Sequence, residues 1–268
     1  MIVRLRRGLL LIGLLAAVFA ARPASASLTA AQLAAVGLKP PPGAALPLDV
    51  LLTGLDGRSA TLRRVLDGRP GVVVFTDYLC TQLCSPILAV TAAALGASGL
   101  TAGRDYRLIP IGFNRRASAE DARKMIEAQI GFKSTVGRAT FPLMAADKSF
   151  RELANAVGYT FAYDAQDARY AHPAALLVVA GDGRLTRVLS GLSITGQDAT
   201  QALQEAAGGG GASAAFNRIR LLCYGLGAEI GRYTNMARLL LMSGGAATLI
   251  ILAAALVAFS RLNARGRR

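Results

Sequence analysis

Six consecutive residues, Gly71-Val-Val-Val-Phe-Thr76, constrain this chain more than any other stretch. A β-branched and aromatic run without polar alternation cannot leave one face in water, so it predicts a central strand covered on both sides. The neighbouring sequence supplies the cover. From Ser85 to Leu95 the composition turns to Ala and Leu, which favours helix. Ser118 with Asp121 three residues later makes a capping-box-like helix start, and Ala122, Met125, Ile126 and Ile130 then fall on one face. Phe150, Leu153, Ala154 and Val157 repeat that spacing, with Gly158 as the stop.

A second buried strand is expected over Tyr106–Phe113, and two hairpins at Asp56-Gly57 and Gly181–Gly183. The stretch GQDATQALQEAAGGGG, which begins at Gly196, reads as a short closing helix and a glycine tract. Strand, helix, strand, helix, hairpin and helix in this order predict an α/β fold: a thioredoxin-like sandwich with an N-terminal hairpin. Residues 48–207 hold it. Residues 27–47, with small side chains and four of the ten prolines, suit a linker or a loosely laid arm.

The two ends have a different character. Arg4, Arg6 and Arg7, the apolar run GLLLIGLLAAVFA and the small residues Ala24–Ala26 describe a cleavable export signal over 1–26. Near the other end, Leu239–Phe259 contains no charge and is about as long as the ~20 residues that cross a bilayer. Arg238 precedes it, and Arg261, Arg265, Arg267 and Arg268 follow in a basic tail over 260–268. Positive flanks stay in the cytoplasm, so a transmembrane helix over 238–259 is expected to leave the C-terminus inside, with 208–237 as the juxtamembrane segment. The net charge of +14 is inflated by the arginines of these two ends. The basic residues between them are scattered and lack aromatic interleaving, which excludes a nucleic-acid surface.

Cys80 and Cys84 stand where the central strand gives way to a helix. Taken as the first turns of that helix, the i, i+4 spacing would put both sulfurs on one face, with thiolate favoured at the helix N-terminus. Disulfide exchange prefers two intervening residues where this chain has three, so the spacing argues for metal first and redox second. A disulfide or a pair of structural thiols remains open. His172 is the only histidine. If strand 175–180 runs antiparallel to strand 72–76, His172 lies at the sheet edge where the cysteine strand ends. Two thiolates and one imidazole form a soft, low-coordinate set that suits Cu(I), whereas zinc would want a fourth ligand. Asp77 is the nearby carboxylate; Cys223, the remaining thiol, lies beside the expected membrane helix.

Several motifs in order resemble the SCO/SenC family of copper-binding proteins that assist cytochrome c oxidase assembly. They are LDGRSATLRRVL, the strand followed by CTQLC, FPLMAADKSFRELANAVGYTFAYD, and AHPAALLVVAGDGRLTRVLSG; the tail FNRIRLLCYGLGAEIGRYTN resembles a C-terminally anchored bacterial branch. The resemblance implies copper, as Cu(I) or Cu(II), on Cys80, Cys84 and His172 of a periplasmic domain held at the bacterial inner membrane. It also implies delivery to, or thiol maintenance of, the copper-bearing subunit of the oxidase. Other copper chaperones or a periplasmic thiol reductant are the further partners expected. The chain departs from the family pattern at Thr81, where proline is usual, and at Pro173.

Overall fold

The computed structural model describes residues 28–80, 84–165, 168–209 and 242–254. From the N-terminus come α1 (Ala30–Ala35), β1 (Gly37–Leu38), β2 (Leu51–Gly54), β3 (Ser59–Thr61), α2 (Leu62–Leu66) and β4 (Gly71–Thr76). Next are α3 (Cys84–Gly96), β5 (Arg107–Gly112), α4 (Ala119–Gln129), β6 (Leu143–Met144) and α5 (Asp147–Ala156). The chain then forms β7 (Tyr159–Thr160), β8 (Ala162–Asp164), β9 (Arg169–Ala171), β10 (Ala175–Val179), β11 (Leu185–Ser190) and α6 (Gly196–Ala207).

β4 is buried at all six positions, as its unbroken apolar run requires. It sits inside a seven-stranded mixed sheet of order β11-β10-β4-β5-β6-β2-β3. β5 runs parallel to it and β10 antiparallel, with Leu176 opposite Val74 and Val179 opposite Gly71. Alternate side chains of each strand go to opposite faces. Val72, Val74, Leu108, Leu176 and Val178 pack under α3, α4 and α6. Val73, Phe75, Ile109, Ile111, Leu177 and Val179 pack under α2 and α5. The result is the three-layer α/β sandwich anticipated from the order of elements.

Local chemistry explains most of the boundaries. Ser118 and Asp121 form the full capping box at the start of α4, and Thr195 with Asp198 does the same for α6. Gly158 ends α5 in the left-handed region at φ +64, where a side chain would also meet the Lys39 carbonyl. Both expected hairpins are present: Thr53 pairs with Ser59 around Asp56-Gly57, and Val179 pairs with Leu185 around Gly181–Gly183. The hairpin of β8 and β9, with Asp164 opposite Arg169, has no counterpart in the sequence reading.

The segment read as a linker or arm is laid along the domain. Leu38 and Leu46 are buried in its core, and the Lys39 and Leu46 amides donate to the Gly158 and Gly183 carbonyls. At the far end, residues 242–254 are helical and exposed. The expected export signal, residues 210–237, the rest of the expected spanning segment and the basic tail lie outside the described residues. Among the described residues no helix is long and apolar enough to cross a membrane.

One contact ties the sheet to the segment that carries the first cysteine. The buried Tyr78 hydroxyl donates to the Pro110 carbonyl at 3.0 Å, and its ring lies over Gly112 so closely that a Cβ there would overlap it. Burial pushes the Tyr78 phenol far above its ordinary pKa, so it remains a donor. Gly112→Ala is therefore expected to cost about 1–3 kcal/mol by overpacking, read as a lowered midpoint in chemical denaturation.

Candidate metal centre

β4 delivers the chain to Asp77, where a small hydrogen-bonded turn takes over. The buried Asp77 carboxylate accepts from the Leu79 amide at 3.0 Å and from Asn114 Nδ2 at 3.0 and 3.1 Å. The Cys80 amide donates to the Asp77 carbonyl at 2.9 Å. Asp77 is thus a strut of the turn, engaged by the loop that follows β5. Cys80 emerges half-buried, and Cys84 is buried as the first residue of α3; both are thiols and not disulfide sulfurs. The expectation that Cys80 lies on a turn of the same helix is corrected here. Cys80 itself is not helical, the described residues of the helix run from Cys84, and residues 81–83 lie outside the described residues.

The histidine arrives from the other side of the sheet. Because β10 is antiparallel to β4, its start lies beside the end of β4, and His172 is just upstream of that start. Its Nε2 is 3.4 Å from Cys84 Sγ, across 88 positions of sequence. The ring is fixed from behind. Nδ1 lies 2.9 Å from the Tyr159 hydroxyl and 3.2 Å from the Pro173 carbonyl, and the Tyr159 hydroxyl lies 3.1 Å from the same carbonyl. A carbonyl only accepts, so Nδ1 carries the proton and Tyr159 donates to Pro173. The Nε2 lone pair of the neutral ring then faces the thiol. An acceptor behind the ring of this kind is what orients metal-binding histidines.

Burial alone would push His172 down. The charge of Cys84, its hydrogen bond, the Pro173 carbonyl and the charge of Cys80 outweigh burial and hold its pKa above the ordinary value. Aromatic rings enclose the imidazole: Phe113 packs edge-on at 5.1 Å between centroids, and Phe113 in turn stacks on Phe150 at 4.6 Å.

The donor set fits a soft metal ion. With bonds of about 2.3 Å to sulfur and about 2.0 Å to nitrogen, a 3.4 Å separation corresponds to an S–metal–N angle of roughly 105°. Cys84 and His172 are therefore already spaced as two ligands of one ion. Cys80 stands on the adjoining turn, near enough for its charge to act on His172. Among the described residues no three Cys, His, Asp or Glu side chains are gathered tightly enough to hold an ion without movement. Cys223 lies outside the described residues. A cavity of about 530 Å³ at the opposite end of β4, lined by residues such as Gly68, Arg104 and Leu203, contains no sulfur or imidazole donor.

Three contributors escaped the sequence reading. Phe113 was read only as the end of a strand, Asn114 carried no motif, and Tyr159 stood within a longer motif without being singled out. The available signal for Tyr159 was a tyrosine directly after a helix-stopping glycine, a place where burial demands a partner for its hydroxyl. Tyr159→Phe is expected to cost about 1 kcal/mol and to release the ring from a single tautomer. Because the chain has one histidine, its imidazole nitrogen resonances report that change directly.

Comparison with known proteins gives the same fold from outside. No protein-family model and no curated protein matches the sequence. Among solved structures, the chain is similar to an Aquifex aeolicus VF5 protein provisionally described as an electron transfer protein, with 20% identity, 63% of this chain and 95% of that one covered, and a TM-score of 0.55. A SCO1/SenC family lipoprotein from Bacillus anthracis str. Ames matches at 15% identity, with 62% and 97% covered and a TM-score of 0.53. Arabidopsis thaliana ScoI with copper bound matches at 12% identity, with 62% and 99% covered and a TM-score of 0.50. The seven-stranded sandwich of this chain is the fold of the SCO1/SenC family proteins.

Proposed function

We propose that this chain is a SCO1/SenC-type copper-transfer protein. It is exported, held at the bacterial inner membrane by residues 238–259, and passes copper to the copper-bearing subunit of cytochrome c oxidase. The observation that carries the reading is the contact of His172 Nε2 with Cys84 Sγ at 3.4 Å, with the opposite ring nitrogen tied to Tyr159 and Pro173. That the similar Arabidopsis thaliana ScoI is a copper-bound structure supports copper as the cargo.

Copper is the cargo, and the protein's own groups set how it is held. Cys84 and His172 supply two donors of a soft set, and Cys80 supplies the third from its half-buried turn. A three-donor set leaves one side open for a partner's thiolates to enter before the first bonds break. A closed four-ligand cage, as in structural zinc sites, has no such entry point. The Tyr159 and Pro173 contacts keep the imidazole aimed, so binding need not order it.

A second reading has its own support. His172 Nε2 is placed to take the Cys84 proton, which suits a thiol–disulfide reductase acting on the oxidase cysteines. In that reaction Cys80 and Cys84 become a disulfide as the partner disulfide gains two electrons and two protons. A periplasmic thiol reductant then restores them.

Titration of the reduced full-length protein in detergent with Cu(I), under anaerobic conditions, separates the two. One equivalent should bind, and Cys80→Ser, Cys84→Ser and His172→Ala should each weaken it more than the roughly 10–100-fold expected for a supporting residue such as Tyr159. Unchanged Cu(I) affinity in His172→Ala, with partner disulfides reduced by the parent protein and reduced more slowly by that variant, would leave the reductase reading in its place. The raised pKa of His172 also gives a sign for pH. The metal-free imidazole holds its proton at higher pH than usual, so copper must displace it, and apparent affinity should fall as pH is lowered. The fall should be shallower in His172→Ala.

A further inference from the structure

A second concavity, of about 270 Å³, opens beside the thiol–imidazole pair. It lies between the loop after β5, the first turns of α5 and the hairpin of β8 and β9. Its floor is aromatic, built from Phe113, Phe150, Phe161 and Tyr170. Phe113 belongs to both places, since the same ring meets the His172 imidazole edge-on at 5.1 Å. An occupant of the cleft is therefore one ring away from the metal donors.

The rim is basic. Arg115, Arg116 and Arg151 line it against a single carboxylate, Asp147. Arg115 reaches Asp147 only at 4.0 Å and both are largely exposed, so that pairing is weak. Arg116 lies over the Tyr163 ring at 5.7 Å and donates to the Ala168 carbonyl, which holds its guanidinium at the mouth. Arg151 has no carboxylate partner among the described residues. Tyr163, itself 44% exposed, continues the apolar surface outward.

From this charge and shape we infer that the cleft docks an acidic segment of a partner protein that carries one large aromatic or aliphatic side chain. The apolar floor takes that side chain, and the guanidinium groups take the flanking carboxylates as charge-assisted hydrogen bonds. A cleft of about 270 Å³ has room for one large side chain. The inference deepens the copper-transfer reading: the partner's segment is held beside the donors, and its thiolates enter from the open side. Steering by the arginines would also raise the rate of encounter.

The chain contains no tryptophan, so a tryptophan peptide reports binding without background. Metal-free full-length protein in detergent is titrated with acetyl-DEWDE-amide while tryptophan emission is followed. Saturable binding with a blue shift is expected, weakened by added salt and weakened about tenfold or more in the Arg116→Glu, Arg151→Glu double variant. Arg151→Glu alone, at a side chain with no hydrogen bond or ion pair among the described residues, should show part of the same effect. Equal binding of acetyl-KKWKK-amide, or an unchanged affinity in both variants, would overturn the inference. So would displacement of the peptide by an equal concentration of dihexanoyl-phosphatidylglycerol, which would make the cleft a lipid-headgroup site. No copper enters this experiment, so its result is independent of whether the chain binds copper.

Discussion

The antiparallel pairing of β10 with β4 is the constraint on which the rest of the structure depends. It sets the start of one strand beside the end of the other, with Leu176 opposite Val74, and so brings His172 to the edge where Cys84 opens α3. Both strands are buried on both faces, so a slip of one residue would exchange the side chains of two cores at once. The cost of that exchange protects the register. The 3.4 Å contact between Cys84 and His172 is a by-product of a sheet whose alignment is enforced by hydrophobic packing.

Around that contact the polar groups are few and matched. Asp77 is answered by Asn114 and the Leu79 amide, and His172 by Tyr159 and Pro173. Aromatic rings fill the space between them, with Phe75 edge-on to both Phe150 and Tyr159. A low-dielectric surround strengthens each satisfied hydrogen bond and makes each broken one costly. The imidazole is consequently held in one tautomer, with its lone pair already directed at the sulfur. Cys80 differs: it stands half-buried on the turn that follows β4.

The aromatic surround also links the donors to the surface. Phe113 has one edge on His172 and lines the arginine-rimmed cleft as well, so the cleft and the thiol–imidazole pair share a wall. Loops at the end of a rigid sheet are where α/β proteins place their chemistry. Here the loop after β5 supplies the Asn114 strut, the Phe113 ring and two of the three rim arginines.

Much of this was legible before any coordinates. An unbroken apolar run dictates a strand covered on both sides, and the capping pairs Ser118–Asp121 and Thr195–Asp198 are local enough to be read or readable from spacing. Cys80, Cys84 and His172 stood out by residue type, and the single histidine by its place before a buried strand. What spacing misjudged was the first cysteine, which stands on a turn closed by Asp77 and not in the helix. Asn114 was not legible, since its role comes from a partner 37 positions away, and Tyr159 showed only its place after a helix-stopping glycine, with its partner 13 positions on. The sequence by itself determined which side chains are candidates for the chemistry and which strand must be central. Tertiary structure alone decided which of them meet, because contact across 88 positions is set by strand direction and register, quantities that no local pattern encodes.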